Sequence, residues 1–398
     1  MAVNGRVSEF NPLYEETFDN THELYTEMRQ RCPVAYSEAF GGFWALFKYA
    51  DVIRLSEDTE RFSTAEQNIV PKVTRAGGRR PPMHFDPPEH STYREPINRV
   101  FKKTQMSKIE PHLRKFADTL LDPLIDRGTL DFTKDFAEYF AAQSFGLLLQ
   151  LPLAKMREVR QVVVRYYRAT TSMNQEEMVQ ASNDLYAVAR EVVGERKTAL
   201  SDPSEDLVSS LLLAGQENGE GIPEQLIIAC IRQLLSAAQA APTAVLGSIA
   251  VHLARDIELQ SRLRSDLSLM PTAIEEFLRL YQPYRVFART AKVDVEIRGR
   301  KIMAGEPIAM IFPSANRDEE VFERPHDFLL TRKPNRHIAF GRGPHQCPAA
   351  PIARLELQIA IEALLTKTSF FELGGPVKMM DWVEFGPASS PLRVIKAS

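Results

Sequence analysis

From Gln233 to Ala254 the chain runs for 22 residues without a formal charge, between Arg232 and Arg255. A helix of that length can cross a bilayer, so the run belongs either in lipid or deep inside protein. Its content decides between them. Gln233, Ser236, Gln239, Pro242, Ser248 and His252 interrupt it, and it is rich in alanine rather than leucine. A helix apolar on all sides at the centre of a large protein has this composition. The run is expected to be a central buried helix, and no membrane association is expected.

A chain of 398 residues is long enough to bury such a helix without staples. Its 49 basic and 52 acidic residues leave a formal net charge of −3, which argues against a nucleic-acid partner held by bulk charge. The cysteines Cys32, Cys230 and Cys347 are too widely spaced for a disulfide framework or a CxxC metal knuckle. They fit a reducing compartment, with at most one thiol doing chemistry. The first twenty residues, MAVNGRVSEFNPLYEETFDN, are acidic and lack an apolar stretch, so a cytoplasmic location is expected.

Residues 43–47 after Gly41-Gly42 read as a strand pairing with Val34–Tyr36. A proline-rich loop follows from about Phe62 to His90, long enough to be functional. Helical spacing then dominates to Ala254, with breaks at Gly128, Leu151-Pro152, Ser201-Asp202-Pro203 and Gly219–Pro223. Another helix spans Pro271–Tyr281, its proline suited to the first turn. Beyond Pro283 the pattern alternates (Val293, Val295, Ile297), with a second apolar run at Ile308–Ile311. An irregular stretch covers 313–336, and a helix over Ile352–Leu365 precedes a strand-like tail. The fold class is mainly α (α+β) with small sheets. One domain is expected over 1–398, with a helix-rich core at about 91–282 and a β-rich part at 283–398.

Residues 340–347 read Phe-Gly-Arg-Gly-Pro-His-Gln-Cys. The two glycines permit positive φ and close backbone approach, and Cys347 stands just before a helix, where backbone N–H groups and the dipole favour a thiolate. A thiolate held by backbone donors suits an axial haem ligand; a buried structural cysteine in a glycine turn gives the same pattern. The loop, followed by Ile-Ala-Arg-Leu-Glu, resembles the cysteine-ligand loop of the cytochromes P450, F-x-x-G-x-x-x-C-x-G. Glu276-Phe-Leu-Arg279 resembles that family's E-x-x-R, whose spacing puts both charges on one helical face as a buried pair able to hold nearby backbone. His90 and Arg94, after Asp-Pro-Pro-Glu, share a face as i, i+4, and in the family this pair binds a haem propionate. Arg289 and His345 match further propionate contacts.

The resemblance covers about residues 20–395. It implies a triangular, helix-rich fold with small sheets and heme b (iron protoporphyrin IX), with Cys347 as axial ligand to the iron. It also implies monooxygenation of a small or medium organic molecule in bacterial secondary metabolism or catabolism. Electrons would come from a ferredoxin and ferredoxin reductase, since no flavin or iron–sulfur domain is read in the chain. Arg99, Lys102, Lys103, Lys108, Arg114 and Lys115 form a basic stretch that could steer an acidic ferredoxin; a solvated helix face reads the same way.

Three positions depart from the family. Its glycine two after the cysteine is Ala349, and Pro348 removes a backbone donor. Its distal acid–alcohol pair aligns with Ala240 and Ala241, leaving Gln239 as the polar group that could order water or substrate; facing another helix is its structural alternative. Pro242 is expected to kink or open the distal helix. These departures raise atypical chemistry as an alternative: peroxide-driven, substrate-assisted or coupling reactions. A non-catalytic P450-like partner is a further alternative, against which Cys347, His90, Arg94 and Arg289 all count. The substrate pocket is expected near Ile69–Met83, Leu234–Ala241 and Tyr284–Phe287, with His84, Ala237, Arg285, Val286, Phe287 and Ser389 as lining residues.

Overall fold

The apolar alternation on either side of Gly41-Gly42 closes a hairpin. Strands β1 (Val34–Ser37) and β2 (Phe43–Leu46) pair antiparallel with Ala35 opposite Ala45, between α1 (Thr21–Arg31) and α2 (Tyr49–Glu57). This computed structural model describes residues 8–13, 20–73, 75, 77–214, 216, 219, 221–380 and 382–397. Residues 1–7 and 14–19 of the N-terminal stretch read above lie outside them. The proline-rich segment stays irregular after β3 (Phe62–Ser63) until α3 (Glu89–Val100).

Then α4 (Lys103–Asp126) ends before Gly128, whose φ of +74° is costly for any residue with a Cβ. The short strand β4 (Thr129–Asp131) was not legible, because three residues show no period. A π-helical turn (Phe132–Ala137) leads into α5 (Glu138–Leu149), followed by α6 (Leu153–Thr171), α7 (Gln175–Thr198) and α8 (Leu207–Leu213). The anticipated breaks fall between these elements and before α9 (Glu224–Arg255).

The uncharged run lies within helix α9, with 78% of the helix's most apolar stretch buried. Its N-terminal half (Ile227, Ile231, Leu235) belongs to one apolar core with α3 and α5–α8. Its C-terminal half (Val245, Leu246, Ile249, Leu253) belongs to a second, with α4 and the elements that follow. Those begin with α10 (Ile257–Ser265) and α11 (Met270–Leu280). Each fully buried Leu or Ile contributes ~1.5–3 kcal/mol, so packing accounts for the helix's apolarity without lipid. The helix also remains continuous through Pro242, contrary to the expected opening. Only the bond from residue 242 to the Ala238 carbonyl is lost, and packing along both halves holds the remaining turns.

A five-stranded sheet has the order β1-β2-β8-β5-β3, from β5 (Val286–Ala291) and β8 (Pro307–Ile311), with β2 and β8 parallel. A hairpin of β6 (Val295–Ile297) and β7 (Arg300–Ile302) lies between them in sequence. Val293, read as part of that alternation, is exposed and precedes the strand. After α12 (Phe312–Ala315) the chain is irregular to α13 (Ala350–Lys367), which packs on α4, α9 and α11. Strand β9 (Thr368–Leu373), β10 (Lys378–Met379), β11 (Pro387–Ser389) and β12 (Pro391–Lys396) make up the tail, with β12 joining β4 and β9.

Candidate active site

Glu276 and Arg279, one turn apart on α11, are buried and form a bidentate pair at 2.7 and 2.9 Å. Arg279 donates onward to the carbonyls of Asn316, Pro325 and Asp327. Glu276 also accepts from Arg332 Nε at 3.0 Å, Leu329 N–H and Asn335 Nδ2. A helix face thereby fixes the irregular chain leading to the cysteine loop. Arg332 was invisible in the sequence: a lone arginine in irregular chain carries no spacing signal.

That loop turns through Gly341 and Gly343, both near φ +70°. A Cβ on Gly343 would run into the Ser56 carbonyl on α2, so the close approach is to protein backbone. The Cys347 N–H donates to Phe340 O at 2.7 Å, placing the sulfur ahead of α13. Pro348 offers no N–H, and the backbone donor to the sulfur is Ala349. Burial pushes the Cys347 thiol up; the Ala349 N–H, Arg94 and Arg354 only partly offset it. The helix terminus therefore does not by itself secure the thiolate expected above, because desolvation outweighs one backbone donor.

Where the two cores meet, a cavity of about 240 Å³ opens between α9 and this loop. Its walls include Ala237, Ala238, Ala241, Pro242 and Val245 on one side and Phe340, Cys347 and Ala349 on the other. Phe287 and Arg289 of β5, Arg94 of α3 and His345 complete it. Arg289 is buried, its pKa lowered to about 10 by desolvation, and donates to Ala288 O at 2.9 Å. Arg94 donates to Gln346 O and to Asn98 Oδ1. His345 meets Thr64 Oγ1 at 3.3 Å and packs on the His90 ring with centroids 4.4 Å apart. His90 Nε2 is buried without a hydrogen-bond partner.

Among the described residues no carboxylate forms an ion pair with Arg94 or Arg289. The nearest acid in electrostatic reach, Asp86, is occupied by Thr64 N–H and the Ser63 hydroxyl. Two cations and two imidazoles without an anion, beside a cysteine and an apolar cavity, match a planar apolar group carrying carboxylates.

Several expected lining residues lie elsewhere. Gln239 and Ala240 are buried on the faces of α9 turned away from the cavity; Gln239 Nε2 donates back to Leu235 O at 3.2 Å. At about 100° per residue the cavity face runs through 237, 238, 241 and 245, so Ala241 alone of the three reaches it. Arg285 and Val286 are also misplaced. Val286 faces a separate core, and Arg285 lies over the Phe385 ring. Side chains on a strand alternate, and Phe287 and Arg289 share the cavity side. His84 is held by Asn68 Oδ1 and Arg80 N–H, and Ser389 by Asp131 Oδ2, both outside the cavity wall. Ala237 and Phe287 line the cavity. Gln233 lines the cavity and was missed, although it lies four residues before Ala237 on the same face.

Of the basic stretch, Lys108 pairs with Glu205, and Arg114 with Glu110 and Glu362. Arg99, Lys102 and Lys115 carry no ion pair among the described residues, and the Lys103 side chain lies outside them.

A family model described as Cytochrome P450 matches residues 161–394. The chain is 30% identical to Cytochrome P450-terp of Pseudomonas sp, over 92% of this chain and 91% of that one. It is 29% identical to the Mycinamicin IV hydroxylase/epoxidase of Micromonospora griseorubida, over 95% and 96%. Among solved structures, the cytochrome P450 enzyme CYP109B1 from Bacillus subtilis superposes with a TM-score of 0.81 at 29% identity, over 93% of this chain and 98% of that one.

Proposed function

The chain belongs to the cytochrome P450 family, and from that premise we propose that residues 1–398 act as one haem-thiolate domain working in the cytoplasm. It is a monooxygenase by family, and its cofactor is heme b. We assign it insertion of one oxygen atom into a small or medium organic substrate, with electrons from a ferredoxin and its reductase. The supporting observation is the uncompensated donor set beside Cys347. Cys347 would ligate the haem iron, while His90, Arg94, Arg289 and His345 would take the two propionates. When bound, the haem supplies the iron that takes the deprotonated sulfur and the centre at which dioxygen is activated.

The chain's own groups then position substrate and protons. Phe287, Ala237, Ala241 and Val245 exclude water from an apolar volume. In place of the acid–alcohol pair, the cavity offers the Tyr284 hydroxyl, which donates to Ala237 O at 3.3 Å, and the Gln233 amide. The Ala238 carbonyl, deprived of residue 242's N–H, is a further acceptor on that wall. These groups can hold a water there. Arg99, Lys102 and Lys115 remain free to steer an acidic ferredoxin.

The test is the ferrous–carbon monoxide difference spectrum of the purified protein. A thiolate-type band, lost in Cys347→Ala, is expected; its absence from the wild type refutes the assignment. Alanines at 240 and 241 favour a second reading, peroxide-driven or substrate-assisted chemistry. Turnover with the ferredoxin system compared with hydrogen peroxide alone separates the two.

A further inference from the structure

A second, smaller chamber of about 70 Å³ adjoins the main cavity, sharing Met83, Gln233, Ala237, Tyr284 and Phe287 with it. Its far wall holds two buried arginines, Arg80 from the proline-rich loop and Arg232 from α9. Arg80 donates to Tyr166 Oη at 3.4 Å, and Arg232 donates to Ser182 Oγ at 3.2 Å while its guanidinium lies 4.5 Å over the Tyr166 ring. Arg232 Nε is buried without a partner, and no carboxylate lies within ion-pair reach of Arg232 among the described residues. Desolvation by burial, and then the charge of Arg80, lower the pKa of Arg232 from the ordinary guanidinium value. Neither arginine lines the cysteine side of the main cavity, where Arg94 and Arg289 stand.

Burying the Arg232 guanidinium with an unpartnered Nε and no carboxylate in reach is costly unless an anion joins it, and Arg80 lines the same chamber. We propose that this chamber receives the headgroup of the substrate, an oxyanion such as a carboxylate or a phosphate monoester, while the apolar remainder extends along α9 toward Ala241. This rests on the monooxygenase reading and names the substrate class for it. Ala241 lies nine positions on from Arg232, about 13.5 Å along the helix at 1.5 Å per residue. The substrate is therefore an amphiphile of medium length, oxidised far from its charged end. The arginines hold the headgroup and take no part in the chemistry.

The holoenzyme is titrated with decanoate, decyl phosphate, methyl decanoate and decan-1-ol, reading the shift of the haem absorption bands. At least one of the two anions is expected to bind about tenfold or more tighter than the neutral pair, and which one identifies the headgroup. R232Q and R80Q should each remove that preference and leave decan-1-ol binding unchanged. The second readout needs no haem signal: the favoured anion should raise the melting temperature by far-ultraviolet circular dichroism, and less so in R80Q. Should R232Q not fold, R80Q and R232K carry the test. Equal affinity for all four probes overturns the proposal. So does an ionised tyrosine at neutral pH that disappears in Tyr166→Phe, because the pair would then own its counter-ion. A missing thiolate band with an intact anion-dependent melting shift would instead fault the monooxygenase reading alone.

Discussion

Replacing Arg279 with methionine keeps most of the side-chain volume and removes five hydrogen bonds, two to Glu276 and three to the carbonyls of Asn316, Pro325 and Asp327. Glu276 would remain buried with Arg332 as its remaining cation. Removing one member of a buried pair costs about 3–5 kcal/mol, because the other charge keeps its desolvation penalty. At about 2.1 cal/mol/K per residue the unfolding entropy of this chain is about 0.84 kcal/mol/K, so Arg279→Met should lower the melting temperature by about 4–6 °C. Arg332→Met leaves the bidentate pair in place and should cost less, about 1.5–3 kcal/mol. Glu276→Leu combined with Arg279→Met should cost clearly less than the two single changes added, since neither member of the pair is then orphaned by the other's loss, although Arg332 still loses its carboxylate. The exposed pair Arg31–Glu27 is the control, and Arg31→Met should cost no more than about 0.5 kcal/mol. Thermal melts followed by circular dichroism measure all of these. If Arg279→Met proves as mild as Arg31→Met, the network does not anchor the segment leading to the cysteine loop.

Three other outcomes follow from the site. Glu356, buried against Ser144, has its carboxyl pushed up to about 8 by desolvation. A raised acid contributes its full stability below the unfolded value near 4.5 and loses it as pH rises toward 8, up to ~5 kcal/mol. Glu356→Gln should flatten that decline, and identical melting-versus-pH slopes would refute it. Gln239→Leu removes a buried amide whose oxygen has no partner, so stability should hold or rise and turnover stay within about twofold; a large loss of turnover would put Gln239 back at the reacting centre. Tyr284→Phe should lower product formed per electron pair consumed, since a hydroxyl beside Ala237 O is lost; unchanged coupling in an oxygen-uptake assay would remove Tyr284 from proton handling.

Helix positions were legible where breakers bound them, as at Gly128 and Pro152, since glycine and proline act within one or two residues. The central helix was legible from its missing charges. The cysteine loop and the Glu276–Arg279 pair were legible because their residues are close in sequence. Facing was less legible than location. Val286 reads on the wrong side of its strand, and the facing of Gln239 stays open between the site and another helix, because one step turns a helix by about 100° and reverses a strand. Partners brought together by tertiary folding gave no signal. Arg332 meets Glu276 from 56 residues away, and Arg80 of the proline-rich loop and Arg232 of α9 meet at Tyr166 of α6.

The central helix α9 also packs against elements that do not yet exist when it is synthesised. Its C-terminal half rests on α13 and β9, which begin at residues 350 and 368, whereas α9 ends at Arg255. At roughly 5–20 residues per second, a ribosome needs on the order of 5–25 s to supply them. During that interval Val245, Leu246, Ile249 and Leu253 have no partner from that side. The nascent chain must therefore carry a bare apolar helical surface until the cysteine loop and α13 emerge, and chaperone supply should govern yield more than the stability of the finished protein does.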